Sequence, residues 1–349
     1  MKKLLGVLAA LAIAVVATVA LFPQSPSDAA MVNGTGITKK MLNADLDAIN
    51  GNTSFTCYVV SAAQLGGGQT LTQVSGASAG TYDTAFAAYW LSEKISGVVA
   101  EQYVADHHLK ITPADTAAAQ ANLAASITEV TQPTQANPTN CQADGNQVLK
   151  ELPKTFVTEQ VQVQAAHEAI LRTVDTQTPA EAGQAYFAAH PGEFDTLCLS
   201  AIVGAAQNIV SAQTALQQGM GFAEAARKYS QNQGASNGGS IGCYAPDSPS
   251  YGAVQTYVQQ LKAGETGKPF QANQGVYAII HVDDRQPAAN YAAVASLAES
   301  LARRNSQQNA SNVVSEDLSK AVVTVNTAYG SWSTANNAFS VVPPASPKA

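Results

Sequence analysis

The sequence predicts an α+β protein in two parts: a mostly helical domain formed by both chain ends, and a smaller α+β domain inserted between them. Three observations carry this expectation. Helical-period runs flank the middle of the chain, at 82–107 and 148–174 before it and at 288–318 after it. From Phe194 the pattern changes to short apolar strands and short helices in the order β-α-α-turn-α-β-β. A chain of 349 residues is long enough to bury two cores.

At the N-terminus, Lys2 and Lys3 precede an uncharged apolar run from Leu4 to Phe22. Pro23, Pro26 and a small-residue stretch ending Ser27-Asp28-Ala29-Ala30 follow. Residues 1–30 read as a secretory signal peptide cleaved near Ala29 or Ala30. The run is also long enough to remain as an uncleaved anchor, tethering the protein to a membrane through residues 4–22. Both readings place the chain outside the cytoplasm, secreted or in the cell envelope. No cysteine lies near the end of the apolar run, which argues against a lipoprotein.

The helical domain occupies 31–190. Met31 to Thr38 is an extended segment with a Gly turn, and Thr38 is positioned to cap a helix over 39–49. Gly66 to Gly80 reads as a loop or weak hairpin. Phe86, Tyr89, Trp90, Ile95, Val98 and Val99 give 82–107 its helical period. This stripe reads as core, though a domain of this kind can also cradle a polypeptide. Thr112-Pro113 opens another helix, 131–144 has no apolar period, 148–174 reads as one long helix, and Thr178-Pro179 starts a short one.

The inserted domain spans 194–286. Thr196–Val203 is its first strand, Asn208–Gln217 and Phe222–Tyr229 its first two helices, and Gly238-Gly239 its turn. A third helix covers 252–261, and Phe270 and Tyr277–Val282 supply the last strands. The stretch 288–333, a helix followed by a strand at 321–325, packs back on the N-terminal domain, and 334–349 is a Pro-rich flexible tail.

Composition narrows the function classes. Charged residues are only 12% of the chain and the net charge is −7. Without residues 1–30, which hold Lys2, Lys3 and Asp28, 16 basic and 24 acidic residues remain, giving −8. No basic stripe is available to neutralise phosphates, which excludes nucleic acid as a partner. Cys57, Cys141, Cys198 and Cys243 show neither Cys-x-x-Cys spacing nor a neighbouring His cluster, so no metal site is expected. One bridge per domain, Cys57–Cys141 and Cys198–Cys243, is the economical pairing in an exported protein, with separate buried thiols as the alternative.

The most specific motif series is Phe222-Ala-Glu-Ala-Ala-Arg-Lys-Tyr-Ser230, Gly238-Gly239-Ser240-Ile241-Gly242, Leu261-Lys-Ala-Gly-Glu265 and Gly275-Val-Tyr-Ala-Ile-Ile-His-Val282. In this order it resembles the parvulin (PpiC-like) type of peptidyl-prolyl isomerase domain found in extracytoplasmic foldases similar to SurA and PrsA. The resemblance is weak over 31–60, good over 180–286 and moderate over 288–333. It implies a SurA-like helical domain that binds unfolded or Pro-containing exported polypeptides, with no cofactor.

Isomerising an X–Pro bond means lowering a rotation barrier of about 18–20 kcal/mol without any nucleophile. The family uses an apolar proline pocket and a preorganised polar shell: a His on the first strand, a His on the last, and an Asp or Cys after the second helix. Here Ser200-Ala201-Ile202-Val203 places Ala201 at the first His, and Ala278 stands at the second. Asn232 fills the acidic or thiol position and is the only catalytic candidate. The resemblance implies pocket walls at Tyr251 and Val254, with Tyr244, Phe270 and Tyr277 completing a client-binding groove. Ala cannot hydrogen-bond, whereas Asn both donates and accepts. The expectation is therefore a folding factor with weak or absent isomerase activity, the alternative being an active peptidyl-prolyl cis-trans isomerase.

Two other patterns carry little. Gly234-Ala-Ser236-Asn-Gly238 matches a nucleophile-elbow string but follows a helix instead of a strand. His281 is three positions past Ala278 and so on the opposite strand face; it reads as exposed structure.

Overall fold

The computed structural model describes residues 25–65, 71–78, 80–132, 141–252, 254–335 and 339–344. The apolar run proposed as a signal or anchor lies outside them. In chain order the elements are β1 (Asp28–Val32), β2 (Thr35–Thr38), α1 (Lys39–Asn50), α2 (Thr53–Leu65), α3 (Thr84–Asp106), α4 (Pro113–Val130), α5 (Gly145–Glu151) and α6 (Lys154–Val174). Next come α7 (Pro179–Ala189), β3 (Thr196–Gly204), α8 (Ala206–Gln217), α9 (Phe222–Tyr229), β4 (Ser240–Tyr244), α10 (Pro249–Gly252) and α11 (Gln255–Val258). The last are β5 (Phe270–Asn273), β6 (Val276–Gln286), α12 (Ala295–Lys320), β7 (Val323–Val325), β8 (Ser331–Ser333) and β9 (Ser340–Val342). The chain divides into two compact units, one of residues up to Val174 and from Asn309, the other Asp175–Gln308.

The first unit joins the two chain ends through hydrogen bonds. Strand β1 is central in a three-stranded antiparallel sheet of order β2-β1-β7, with Ala30 opposite Val325 and Val32 opposite Val323. Thr38 caps α1, its hydroxyl accepting from Met41 N at 3.1 Å. Thr112 and Asp115 form a reciprocal capping box on α4, with Pro113 in the first turn. Ala310, Val314 and Leu318 recur every four residues on α12 and enter the same core as Phe55, Phe86, Leu91, Ile95 and Phe156. Cys57 and Cys141 form a disulfide within this unit.

Two expectations change here, and a third meets a structural constraint. The single helix over 148–174 is two, because Pro153 excludes helical geometry at Leu152, whose ψ is 153°. The tail from 334 is not flexible throughout: β9 pairs with β8, and Val341 is buried with its N–H donating to Ser92 Oγ at 2.8 Å. Gly330 permits this hairpin with φ +132°, its Cα facing the Val342 carbonyl too closely for any Cβ. Finally, Ala29 and Ala30 are fully buried in β1, so cleavage beside them removes the first half of a central strand.

The second unit is built on a four-stranded antiparallel sheet of order β4-β3-β6-β5. It begins at 175, earlier than 194, because α7 packs on the segment after β6. Phe187 meets the Tyr291 ring, and the Tyr291 hydroxyl donates to Glu299 Oε1 at 2.9 Å. Cys198 and Cys243, directly opposite each other on β3 and β4, form the second disulfide. Among the described residues no helix is long and apolar enough to cross a membrane.

Candidate functional site

The sheet of the second unit has two apolar faces, separated by the two-residue period of its strands. On one face Ile202 and Ile279 pack against α8 and α9 through Ile209, Ala212, Ala225 and Ala226. On the other, Leu197, Leu199, Ala201, Ile280 and Val282 pack under Tyr251 and Val258, with Val203, Tyr244, Val254, Leu261 and Phe270 around them. The candidate site is this second face.

Its two marker positions are buried and apolar. Ala201 lies opposite Ile280 and Ala278 opposite Val203, and each alanine is 4% exposed. On its other side Ala278 faces Phe270 across β5. Neither methyl group can donate or accept a hydrogen bond. Phe270 stacks on Tyr257, ring centroids 3.6 Å apart with planes at 12°, and Tyr257 is 42% exposed. Phe270 itself is half-buried. Tyr257 escaped the sequence reading, which placed the pocket walls at Tyr251 and Val254.

The five expected contact residues do not converge. Val254, Tyr244 and Phe270 are half-buried on the Ala201 face. Tyr251 is on that face too, but at 1% exposure it is core and its hydroxyl has no hydrogen-bond partner, so it offers no surface for contact. Burial pushes its phenol pKa up. Tyr277 is on the opposite face, with the α8–α9 cluster, because it is one residue from Ala278. The roof carrying Tyr251 and Val258 is tied to β6 and the chain before β3. Arg285 donates to the Gln259 carbonyl at 2.9 Å and faces Asp195 at 3.6 Å. Gln259 in turn donates to Glu193 at 2.9 Å.

Asn232 belongs to a clamp at the end of β3. Val203 N–H donates to Ser230 Oγ at 2.9 Å, and that hydroxyl lies 3.0 Å from Asn232 Oδ1. Gln231 N–H donates to the Val203 carbonyl at 2.7 Å. The chain then passes between β3 and α9 at Gly238 and Gly239, with φ +71° and +88°. A Cβ on Gly239 would stand 2.8 Å from the Ala201 carbonyl and 2.9 Å from Ala226 Cβ, so only glycine fits. Ser236 lies in a 3-10 turn after a helix, the wrong setting for a nucleophile elbow.

His281 is not exposed structure. It stacks on Phe222 with centroids 4.9 Å apart and hydrogen-bonds Thr266 Oγ1 at 2.9 Å. Its cross-strand neighbour Ser200 donates to Asp283 Oδ2 at 2.7 Å. The serine therefore bonds the carboxylate and not the imidazole, the reverse of what a nucleophilic triad needs. No cluster of three metal-ligating side chains occurs among the described residues.

Residues 199–284 match the family described as Rotamase, PPIC-type PPIASE domain. No curated protein matches the chain. Among solved structures, PrsA from Bacillus anthracis is 17% identical, over 66% of this chain and 96% of its own, with a TM-score of 0.34. PrsA from Bacillus cereus is 15% identical, over 86% and 93%, at a TM-score of 0.38. A structure from work on PEB4 and Cj1289, described as SurA-like chaperones of Campylobacter jejuni, is 13% identical over 86% and 99%, at 0.30.

Proposed function

We propose that this chain, whose residues 199–284 match a PPIC-type domain, is an extracytoplasmic folding factor that binds unfolded or Pro-containing polypeptide with little or no isomerase activity. The observation that carries the reading is the apolar character of Ala201 and Ala278. Each is an alanine where the parvulin pattern has histidine, and each is packed in a dry face. Loss of an oriented polar group costs on the order of 3 kcal/mol of transition-state stabilisation, or about a hundredfold in rate. Two such losses leave little catalysis to measure.

Binding survives that loss. The stacked Phe270–Tyr257 pair, with Tyr244 and Val254 beside it, offers flat apolar surface of the kind that takes a proline ring or an extended apolar segment. Two disulfides suit an oxidising compartment outside the cytoplasm, as does the Lys2-Lys3 and apolar start of the sequence. Clients are polypeptides; neither nucleic acid nor a cofactor enters the reading.

The test compares two assays on the same purified protein. Proline-limited refolding of a model substrate is expected to proceed at its uncatalysed rate, while aggregation of an unfolded client is suppressed. Acceleration like that of an intact parvulin would establish the alternative, an active peptidyl-prolyl cis-trans isomerase. Absence of both effects would remove the binding proposal.

A further inference from the structure

We propose that a cavity inside the first, helical unit binds the basic side chain, lysine or arginine, of an extended polypeptide. This rests on the reading that the protein engages polypeptide, and it adds a second place and a different chemistry from the alanine-marked face.

The cavity has a volume of about 400 Å³ and is lined from α2, α3 and α6. Its walls include Phe55, Tyr58, Tyr89 and Trp90. Two of these rings are held by Phe156, which meets Phe55 edge-on at 5.4 Å and stacks with Trp90 at 6.0 Å. The site is therefore preformed, and it offers apolar surface for the stem of a long side chain.

The charges in it do not balance. Glu93, Glu101 and Glu159 all line the cavity, and Lys94 is the one lining lysine or arginine. Lys94 is already engaged, its Nζ 2.7 Å from the buried Asp45 carboxylate and paired also with Glu159. Asp45 is further fixed by accepting from Trp90 Nε1 at 3.0 Å. Among the described residues, three lining carboxylates and Asp45 are thus set against one ammonium, which Asp45 and Glu159 take up. His167 adds no cation, since burial pushes its pKa down.

Glu93 is the most informative of the remaining two. It makes no hydrogen bond or ion pair with the described residues and is exposed to solvent where it lines the cavity. Desolvation by the surrounding protein still pushes its pKa up. Glu101 is raised in the same direction, by burial and then by Glu159. An ammonium or guanidinium entering here gains carboxylate partners and aromatic faces together. A bare metal ion fits less well, since the described residues hold no cluster of three ligating side chains. A neutral or acidic segment would leave the carboxylates unpaired.

The experiment uses the full chain carrying Trp332→Phe, which leaves Trp90 as the one tryptophan of the two in the sequence. Its fluorescence is titrated with an unstructured lysine-containing peptide, the same peptide with the lysine acetylated, and free pentylamine. The lysine peptide is expected to bind at least tenfold more tightly than the acetylated one. Glu93→Gln and Glu101→Gln are each expected to weaken the lysine peptide several-fold, with circular dichroism melts reporting whether each variant is folded. Equal binding of the two peptides, or no change in either folded variant, would overturn the proposal. Pentylamine binding more tightly than the peptide would overturn the polypeptide source and leave a small-amine site. Loss of lysine preference with aggregation suppression intact would count against this cavity alone. Lysine preference without suppression would count against the chaperone reading alone.

Discussion

Phe270 stands directly opposite Ala278 across β5 and β6, so an aromatic side chain borders the position where the parvulin pattern has its last-strand histidine. Val203 flanks the same alanine from β3. A buried imidazole between them would have no polar partner and no spare volume. Ala278→His is therefore expected to destabilise the protein by about 1–3 kcal/mol without creating isomerase activity. Urea melts and a proline-limited refolding assay check the two halves. A variant as stable as the parent and newly active would show that the face is open and merely lacks its histidine.

Tyr251 separates core from contact surface. Its ring is buried but its hydroxyl is unpartnered. Tyr251→Phe is expected to be neutral or stabilising by up to about 1 kcal/mol, and Tyr251→Ala to cost about 3–5 kcal/mol through the cavity it leaves. Denaturant midpoints measure both. A Phe variant that melts normally but fails to bind client would return Tyr251 to the contact surface.

The sequence made much of this arrangement legible, and the exceptions have physical reasons. Phe222–Tyr229 was readable as a helix because its apolar residues recur with helical period, and Gly238-Gly239 as a turn because both need positive φ. The joining of the chain ends showed as helical pattern on both flanks. Helix α2 went unseen because Thr53–Leu65 is rich in β-branched and hydroxyl residues whose local preference is overridden by packing. Strand β4 was hidden by a mostly exposed edge and Gly242 at φ +104°. The burial of Val341 depends on Ser92, far away in sequence. Tyr277 is a different case, because simple strand alternation next to Ala278 placed it on the far face.

Asp115 links stability to acid. Burial pushes its carboxyl up, but hydrogen bonds from Arg172, from Thr112 N–H and from the Thr112 hydroxyl outweigh this and hold it below its ordinary value. A lowered folded-state pKa stabilises above the unfolded value, about 3.9, and that contribution disappears as pH falls through the folded value. Asp115→Asn is expected to cost on the order of 2 kcal/mol at pH 7, with the gap narrowing below about pH 4. Chemical denaturation at pH 7 and at acid pH checks the sign. A gap that stays constant would show that Asp115 acts only as a helix cap.

The buried β1 constrains processing. Asp28, Ala29 and Ala30 lie in a strand paired on both sides, and Ala29 and Ala30 are fully buried. If a leader is removed, the mature N-terminus is expected before Asp28, as intact-mass analysis of the exported protein would show. A mature protein starting at Met31 and fully folded would mean that the sheet does not need the first half of β1.

Residues 199–284 match a PPIC-type domain and are proposed to bind polypeptide without efficient isomerisation. Proline-limited refolding, followed alongside aggregation of an unfolded client, tests this proposal most directly. An unchanged refolding rate together with suppressed aggregation is expected. Refolding accelerated to the level of an intact parvulin would contradict the proposal.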